Sequence, residues 1–343
     1  MKVGINGLGR IGRAAFKILQ DTPELELVAI NDLIPTDNLA YLLKYDTVYG
    51  RYPGDVDYDE NHLIVGGEEF PVFHEKDPAQ IPWGENDVGL VFECTGVFRT
   101  RPELEKHIEA GAQAVILSAP AKSEELVTVV HGVSEVDPDE NIISCASCTT
   151  NSITPVAEIM ERHFGVQKAT LTTIHAYTSS QNLVDGPSKK WRRGRAGAAN
   201  FVPTTTGAAI ATAKALPRYE GKFDGVAVRG PVAVGSLSDL VFVTEQDTSV
   251  DEVNDVFRRE AQSDRYRGIL GVAEDPIVSS DIIQDSHASI VDLNMTKVVD
   301  GNLVKIMAWY DNEWGYTSQM IREALRFAQQ SDKAQRFVAA RQR

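Results

Sequence analysis

The sequence predicts an α/β protein of two domains, a doubly wound parallel sheet followed by an α+β domain with a mixed or antiparallel sheet. In the first 150 residues, short apolar strands alternate with helical segments, which is the order of a parallel sheet covered by helices. Beyond that point strands follow one another with fewer helices between them, which is typical of an α+β domain. A chain of 343 residues is long enough to bury two cores.

A glycine-rich turn follows the first strand. Residues 2–5 are apolar, the pattern Gly7-x-Gly9-x-x-Gly12 comes next, and an alanine-rich helix runs to about residue 20. The first glycine allows a tight turn, the second lets the backbone approach a pyrophosphate, and the third lets helix and strand pack closely. The phosphates then lie at the helix N-terminus. The pattern predicts a Rossmann-type dinucleotide site at these glycines.

The second strand, residues 25–31, ends in Asp32, twenty residues after the last glycine of the pattern. At this position a carboxylate accepts hydrogen bonds from the adenosine ribose hydroxyls of NAD. The alternative is that Asp32 only caps the helix predicted at residues 36–44. Leu33 offers nothing to a 2′-phosphate, so NAD is favoured over NADP.

The rest of the first domain continues the alternation. Ligands of such sheets bind at the carboxyl ends of the strands, so we expect Thr95, Gly96 and Ser118 beside the cofactor. The predicted elements are a hairpin, a strand, a helix and a strand, at residues 62–73, 87–93, 102–111 and 112–117.

Cys148 lies at a junction between a strand and a helix. An apolar strand end at residues 141–143 precedes it, and residues 153–164 have helical spacing, with candidate caps at residues 149–151. A thiol near a helix N-terminus meets free backbone N–H groups and the positive end of the macrodipole, and both favour the nucleophilic thiolate. The alternative is a buried cysteine that serves only as a small hydrophobe.

The second half of the chain carries further candidates. His175 lies on a strand predicted at residues 169–178, and a strand that leads out to Thr178 suits an active site better than a core. Residues 179–203 have little periodicity and are rich in Gly, Ser, Arg and Lys, which is typical of a functional or assembly-forming loop. The other predicted elements are helices at residues 204–216, 249–261 and 314–329, and strands at 225–232, 237–245, 289–292 and 303–310.

The composition excludes several classes of function. A net charge of −15 disfavours binding to nucleic acid or to an anionic membrane. No apolar stretch is long enough to cross a bilayer, and the N-terminal residues leave no room for a signal peptide. Three cysteines do not form the pattern of a secreted disulfide framework. We therefore expect a cytoplasmic protein that binds no nucleic acid, membrane or metal.

Several long blocks of the sequence resemble phosphorylating glyceraldehyde-3-phosphate dehydrogenase of the bacterial and eukaryotic type. They follow one another in the order of that family, and lie at residues 3–13, 42–46, 118–122, 146–151, 185–188 and 309–316. The resemblance implies an NAD-binding Rossmann domain at residues 1–147, completed by a C-terminal helix at 315–343, and a catalytic domain at 148–314. It also implies a homotetramer in which the loop at residues 179–203 packs at subunit contacts.

The resemblance also implies a reaction, the glycolytic oxidation of D-glyceraldehyde 3-phosphate to 1,3-bisphosphoglycerate with NAD and inorganic phosphate. Cys148 would form a thioester and His175 would activate the thiol and take a proton. The phosphate-binding residues implied are Ser147, Thr149, Thr178, Arg195, Thr206, Gly207 and Arg229. The cofactor contacts implied are Arg10, Ile11, Asp32, Lys76, Ser118 and Asn312.

Two other functions remain open at this point. One is an erythrose-4-phosphate dehydrogenase of the same superfamily, which the chain resembles less around Thr206 and residues 185–187. The other is a non-catalytic thiol-redox paralogue, suggested by the pair Cys145 and Cys148. We expect Cys145 to be a buried, neutral thiol that forms no disulfide, because the residue that ends a buried strand packs inward.

Overall fold

The computed structural model describes residues 1–341, with side chains described through residue 329. Its contacts divide the chain into two units. The first consists of Met1–Val129, Glu135–Ala146 and the residues from Met320 onward, and the second of Val130–Ser134 and Ser147–Gln319. The C-terminal helix expected at residues 315–343 extends over residues 342 and 343, which lie outside the described part of the chain.

The first unit contains a predominantly parallel sheet. Within the described residues the strands run in the order β10-β11-β9-β8-β1-β2-β7-β6-β5, parallel from β10 to β7 and antiparallel from β7 to β5. The doubly wound parallel sheet predicted from the sequence is confirmed. The elements are β1 (Lys2–Asn6), α1 (Arg10–Gln20), β2 (Glu26–Asn31), α2 (Thr36–Lys44), the pair β3 (Tyr45–Asp46) and β4 (Gly50–Arg51), β5 (Val56–Tyr58), β6 (His62–Val65), β7 (Glu68–Phe73), β8 (Leu90–Glu93), α3 (Arg101–Glu109), β9 (Ala114–Leu117), β10 (Val127–Thr128) and β11 (Ile142–Ser144).

The carboxyl ends of three neighbouring strands meet at one edge of this sheet. In register, Asn6 of β1 pairs with Asn31 of β2 on one side and with Glu93 of β8 on the other. Parallel strands end at the same edge, so the turns that follow β1, β2 and β8 are brought together there. This edge carries the glycine-rich turn and Asp32.

The second unit contains a mixed sheet, as predicted. Its strands run in the order β13-β14-β12-β15-β19-β17-β16, with β18 beside β19; the pairs β12–β14 and β16–β17 are parallel. The elements are α4 (Cys148–Phe164), β12 (Val166–Ala176), β13 (Val202–Thr205), α5 (Ala208–Ala215), β14 (Phe223–Gly230), β15 (Ser236–Thr244), α6 (Val250–Ala261), β16 (Leu270–Ala273), β17 (Ser289–Asp292), β18 (Lys297–Val299), β19 (Leu303–Tyr310) and α7 (Trp314–Arg341), whose residues from Met320 belong to the first unit.

Helix α4 is the central element of the second core. Its residues Ile153, Val156 and Met160 are fully buried against a cluster that includes Leu240 of β15 and Phe257 of α6. Along β15, buried and half-buried residues alternate, so one face of the sheet meets this core and the other stays partly open. The apolar face of α4 therefore fixes where its first residue, Cys148, lies.

Three sequence-based boundaries were wrong near the candidate site. Helix α4 starts at Cys148 rather than near residue 153, because Ser147 caps it and Thr154 Oγ1 donates to Thr150 O within its first turns. Strand β12 ends at Ala176, two residues before Thr178. Residues 204 and 205 end the edge strand β13 instead of opening a helix. Ser and Thr side chains can hydrogen-bond to the nearby backbone in helices, strands and turns, so helix and strand propensities alone could not place the ends of these elements.

None of the helices in the described residues combines the length and the apolarity that crossing a bilayer requires.

The connection between β11 and α4 is strained at Ala146, which has a φ of 57° and is fully buried. This backbone region disfavours every residue with a Cβ by about 1 kcal/mol or more. We expect Ala146→Gly to stabilise the protein by about 0.5–1 kcal/mol, measured by chemical denaturation. The control is Ala169→Gly in β12, where no positive φ requires glycine and a loss of about 0.5–1 kcal/mol is expected. Equal losses in both variants would contradict the strain argument.

Candidate active site

Cys148 is the first residue of helix α4, and Ser147 is its N-cap. Ser147 Oγ accepts a hydrogen bond from Thr150 N–H at 3.1 Å and lies 2.7 Å from Thr150 Oγ1. The expectation that residues 149–151 would supply the cap was therefore wrong, because the capping side chain precedes the cysteine. The position at the positive end of the helix is nevertheless the one predicted for Cys148.

His175 faces the thiol. Its Nε2 lies 3.3 Å from Cys148 Sγ, and its Nδ1 lies 2.7 Å from the carbonyl oxygen of Ala176. A carbonyl oxygen only accepts, so this contact favours the tautomer with the proton on Nδ1, which leaves the lone pair of Nε2 facing the sulfur; Arg229 Nη1, also beside Nδ1, can only donate and favours the opposite tautomer. Cysteine and histidine thus have the geometry of a nucleophile and its general base.

Arg229 lies beside His175 because β12 and β14 pair in parallel with these two residues in register. Its Nη1 is 2.8 Å from His175 Nδ1 and donates to Ala176 O at 2.9 Å. Its Nε is buried and has no hydrogen-bond partner among the described residues. A buried cationic donor without an acceptor is suited to binding an anion.

Burial governs the protonation of this cluster. Burial, together with the charges of Arg229 and Arg193, lowers the pKa of His175 to about 3, so the imidazole is neutral. Burial also raises the pKa of Cys148, while Arg229 and the hydrogen bonds of Thr149 oppose that rise. Cys148 is only partly covered by protein, so water reduces the burial effect. The helix start favours the thiolate, as predicted, but it does not outweigh burial.

Tyr310 is a site residue that the sequence analysis did not single out. Its hydroxyl lies 2.8 Å from Thr149 Oγ1 and 2.9 Å from Thr173 Oγ1, and its ring meets His175 edge to face at 6.0 Å. It is nearly fully buried at the end of β19, and burial raises its pKa. It therefore supports the imidazole and the first turn of α4. In the sequence, Tyr310 was marked only by its place in the block at residues 309–316, which resembles the family.

The predicted phosphate-binding residues are only partly brought together. Ser147, Thr149 and Arg229 adjoin the Cys148–His175 pair. Thr178 Oγ1 pairs with Ser180 Oγ at 2.8 Å, and Thr206 Oγ1 accepts from Ala208 N–H beside Gly207, which precedes α5. Arg195 is 62% exposed and donates to Asp185 at 2.7 Å. Its described contacts tie it to the loop and do not join it to His175.

Arg193, two residues earlier, is the better-placed arginine of the loop. Its charge lowers the pKa values of both His175 and Arg229, so it lies close to them. Its Nε donates to Thr204 Oγ1 at 3.0 Å, and its Nη2 donates to Thr205 O at 3.3 Å. The loop contains three arginines within four residues, and the sequence offers no signal that distinguishes them. Its bonds to Thr204 and Thr205 join Arg193 to β13, which pairs with β14, the strand that carries Arg229.

The first unit has a cavity of about 460 Å³ at the carboxyl edge of its sheet. Five predicted cofactor residues line it: Gly7, Gly9, Asp32, Lys76 and Thr95. The other predicted cofactor residues do not line this cavity. One of them, Asn312, belongs to the second unit, where its Oδ1 accepts a hydrogen bond from Ser236 Oγ at 2.9 Å. The remaining predicted residues of the first unit are Arg10, Ile11, Gly12, Gly96 and Ser118.

The glycines of the turn fit a dinucleotide. Gly7 has a φ of +92°, and a Cβ there would lie 2.8 Å from the backbone nitrogen of Thr95. A Cβ on Gly12 would lie 2.0 Å from Gly7 O. At Gly9, by contrast, a Cβ would meet nothing within 4 Å, so the backbone is open to a ligand. These are the three roles that a pyrophosphate-binding turn requires.

Asp32 holds the same turn. Its Oδ2 accepts from Leu8 N–H at 2.6 Å, and its Oδ1 accepts from Ile34 N–H at 3.0 Å. Each carboxylate oxygen keeps a further lone pair, so ribose hydroxyls can still be bound. Arg10 Nη1 donates to Asp46 Oδ2 at 2.6 Å, so the guanidinium group of Arg10 is already paired with a carboxylate of the protein. The residues present therefore fit NAD.

The three cysteines are free, as expected. Cys145 is 3% exposed, and burial raises the pKa of its thiol well above the usual value. The expectation of a buried, neutral thiol is confirmed. Burial likewise raises the pKa of Cys94 to about 12. Neither thiol is set up to act as a nucleophile.

Comparisons with known proteins agree with one another. Residues 1–101 match the family model "Glyceraldehyde 3-phosphate dehydrogenase, NAD binding domain", and residues 147–312 match the corresponding C-terminal domain. The chain is 49% identical over 324 residues to a glyceraldehyde-3-phosphate dehydrogenase of Thermotoga maritima, covering 93% of this chain and 97% of the relative. It is 48% identical over 325 residues to glyceraldehyde-3-phosphate dehydrogenase 2 of Streptomyces avermitilis (94% and 96% coverage). With a glyceraldehyde-3-phosphate dehydrogenase of Haloarcula vallismortis it shares 46% over 325 residues (94% and 96%).

The charge of Arg229 can be tested through the reactivity of Cys148. Arg229 lowers the pKa of Cys148, so Arg229→Leu should raise that pKa and slow alkylation by iodoacetamide at pH 7 by about three- to tenfold. Arg229→Lys should retain most of the rate. Both variants are compared in a His175→Asn background, which removes the imidazole as a second titrating group. Arg195→Leu is the matched control and should leave the rate unchanged; an equal effect at Arg195 would refute the assignment.

Proposed function

Because this chain belongs to the glyceraldehyde 3-phosphate dehydrogenase family and is an NAD-dependent dehydrogenase, we propose that it oxidises D-glyceraldehyde 3-phosphate to 1,3-bisphosphoglycerate through a thioester on Cys148. The observation that carries this proposal is the 3.3 Å contact between Cys148 Sγ and His175 Nε2, beside the cationic side chain of Arg229. A neutral imidazole facing a thiol is the pair that covalent aldehyde chemistry needs.

The first step is addition to the aldehyde. Nε2 of His175 takes the thiol proton, Sγ of Cys148 bonds to the aldehyde carbon, and the imidazolium returns that proton to the carbonyl oxygen, so that a neutral histidine and a thiohemiacetal result. His175 then accepts the proton of the new hydroxyl group as the carbon is oxidised, which leaves a thioester on Cys148. NAD, when bound, supplies the two-electron acceptor for this oxidation. A phosphate oxygen attacks the thioester carbon, the C–S bond breaks, and the acyl phosphate leaves while Cys148 regains a proton.

Recognition of phosphate falls to the arginines and hydroxyl groups of the second unit. Arg229 offers its unpartnered buried Nε, and Arg193 contributes a second cation close to His175. Ser147, Thr149, Thr178 and the Thr206–Gly207 pair are proposed to complete the anion sites, as the family resemblance implies. Arg193 takes the position that the sequence analysis gave to Arg195. Anionic groups of substrate would offset the cost of burying these cations.

The thiol-redox alternative lacks structural support. A redox pair needs a second accessible thiol, whereas Cys145 is buried with a raised pKa. The relatives described above carry the name of the glyceraldehyde 3-phosphate enzyme, which favours that substrate over erythrose 4-phosphate.

Turnover of the variants tests the mechanism. Cys148→Ser should lose NADH production by more than about a thousandfold while it still binds NAD, since a hydroxyl is a poor nucleophile at neutral pH. His175→Asn should lower kcat by about 10²- to 10⁴-fold. Cys145→Ser is the matched control and should keep most of the activity.

Inorganic phosphate provides the second measurement. Without it, the wild-type protein should release about one NADH per active site and then stop, because the thioester cannot turn over. Parallel assays with erythrose 4-phosphate establish substrate preference. Near-normal NADH production by Cys148→Ser would disprove the mechanism.

The homotetramer implied by the resemblance, and a cytoplasmic location, are part of the same proposal. The loop at residues 179–203 exposes large apolar side chains at Leu183, Val184, Trp191 and Phe201, which is typical of an interaction surface. Light scattering after size exclusion should give four times the mass of one chain. Trp191→Glu should lower that mass. A wild-type protein with the mass of a single chain would contradict the proposal.

A further inference from the structure

Glu93, at the end of β8, is a buried carboxylate for which the proposed reaction has no use. Both Glu93 and His107 of α3 have 0% exposure. Neither belongs to the lining of the cofactor cavity, although Cys94 and Thr95, which follow Glu93, do. A buried charge is costly unless hydrogen bonds satisfy it, so its partners indicate its role.

The carboxylate accepts hydrogen bonds on both oxygens. Oε2 accepts from Asn6 Nδ2 at 2.5 Å and from His107 Nε2 at 3.1 Å. Oε1 accepts from Thr95 N–H at 2.8 Å and also from Thr95 Oγ1. An ionised carboxylate is an acceptor only, so it matches these four donors without conflict.

Trp83 fixes the tautomer of His107. Its indole Nε1 lies 3.0 Å from His107 Nδ1, and an indole N–H can only donate. His107 Nδ1 is therefore the acceptor, and the ring proton is on Nε2, pointed at Glu93. The histidine is a fixed donor and not a second acceptor that would compete with the carboxylate.

The hydrogen bonds continue into the wall of the cavity. Asn6 Oδ1 accepts from Asn31 Nδ2 at 2.8 Å, and Asn31 also pairs with the backbone of Glu75 through bonds of 2.9 and 3.0 Å. Asn6, Asn31, Glu75 and Thr95 all line the cavity. One buried carboxylate thus connects the turns after β1, β2, β7 and β8.

We propose that Glu93, oriented by His107, is a positioning residue for NAD. It holds the Asn6–Gly7 turn and the Thr95 backbone in the geometry that the dinucleotide needs, without touching the ligand. Connected buried networks of this kind stiffen the groups that they join, and losing one member leaves the others unsatisfied. The proposal rests on NAD binding by the family and not on the proposed chemical steps, so a direct measurement of NAD binding tests it separately from those steps.

Glu93→Gln keeps the shape of the side chain but replaces one acceptor oxygen with an NH₂ group. That group then faces either Asn6 and His107 or Thr95 N–H, and in both cases two donors meet. We expect the dissociation constant for NAD, measured by titration calorimetry, to rise by about tenfold or more. KM for NAD should rise by a similar factor while kcat changes less than about twofold. Hydrogen exchange should increase at residues 6–9 and 94–97.

His107 provides a second test that does not alter the carboxylate. His107→Leu removes the donor and should weaken NAD binding, whereas His107→Gln can still donate to Glu93 and should recover much of it. Glu109→Gln, an exposed position on the same helix, is the charge-matched control and should bind NAD like the wild type. If Glu93→Gln does not fold, the comparison of the two His107 variants decides. NAD dissociation constants within twofold of wild type in folded Glu93→Gln or His107→Leu would overturn the proposal.

Discussion

The parallel pairing of β12 with β14 is the constraint on which the candidate active site depends. It sets His175 and Arg229 side by side, and the packing of α4 against the same sheet then presents Cys148 to the imidazole. A slip of one residue in either strand would turn one of the two side chains to the opposite face. The chemistry of the thiol is therefore a consequence of strand register as much as of the residues themselves.

The two units differ in how completely a buried charged side chain is hydrogen-bonded. In the first, the Glu93 carboxylate is saturated by four donors, which makes it a rigid part of the scaffold. In the second, Arg229 keeps a buried Nε without an acceptor in the described structure. A buried charge whose hydrogen bonds are all made keeps its neighbours in place. A buried cation with an unpaired donor carries an uncompensated desolvation cost, and a bound anion can offset that cost. This contrast separates residues that position from residues that bind.

The sequence predicted the fold class, the glycine turn, Asp32 and the place of Cys148, because each depends on local pattern or on contiguous blocks. It did not predict Tyr310, Arg193 or Glu93 as important residues. Tyr310 and Thr149 are 161 positions apart, and Asn6 and Glu93 are 87 apart, so these contacts exist only once the sheets have formed. Arg195 stays a prediction, and the contacts that distinguish it from Arg193 are likewise tertiary: Arg195 donates to Asp185, whereas Arg193 donates to Thr204 and Thr205 of β13.

The chain passes between its two units four times, after Val129, Ser134, Ala146 and Gln319. The short segment of residues 130–134 belongs to the second unit, where Arg265 Nε donates to Gly132 O at 2.8 Å. No single cut can therefore release either unit with all of its own elements. A gene fragment that ends at residue 146 would encode the first unit without its last helix and with five residues of the second. Recombination at a single breakpoint therefore cannot exchange either unit intact.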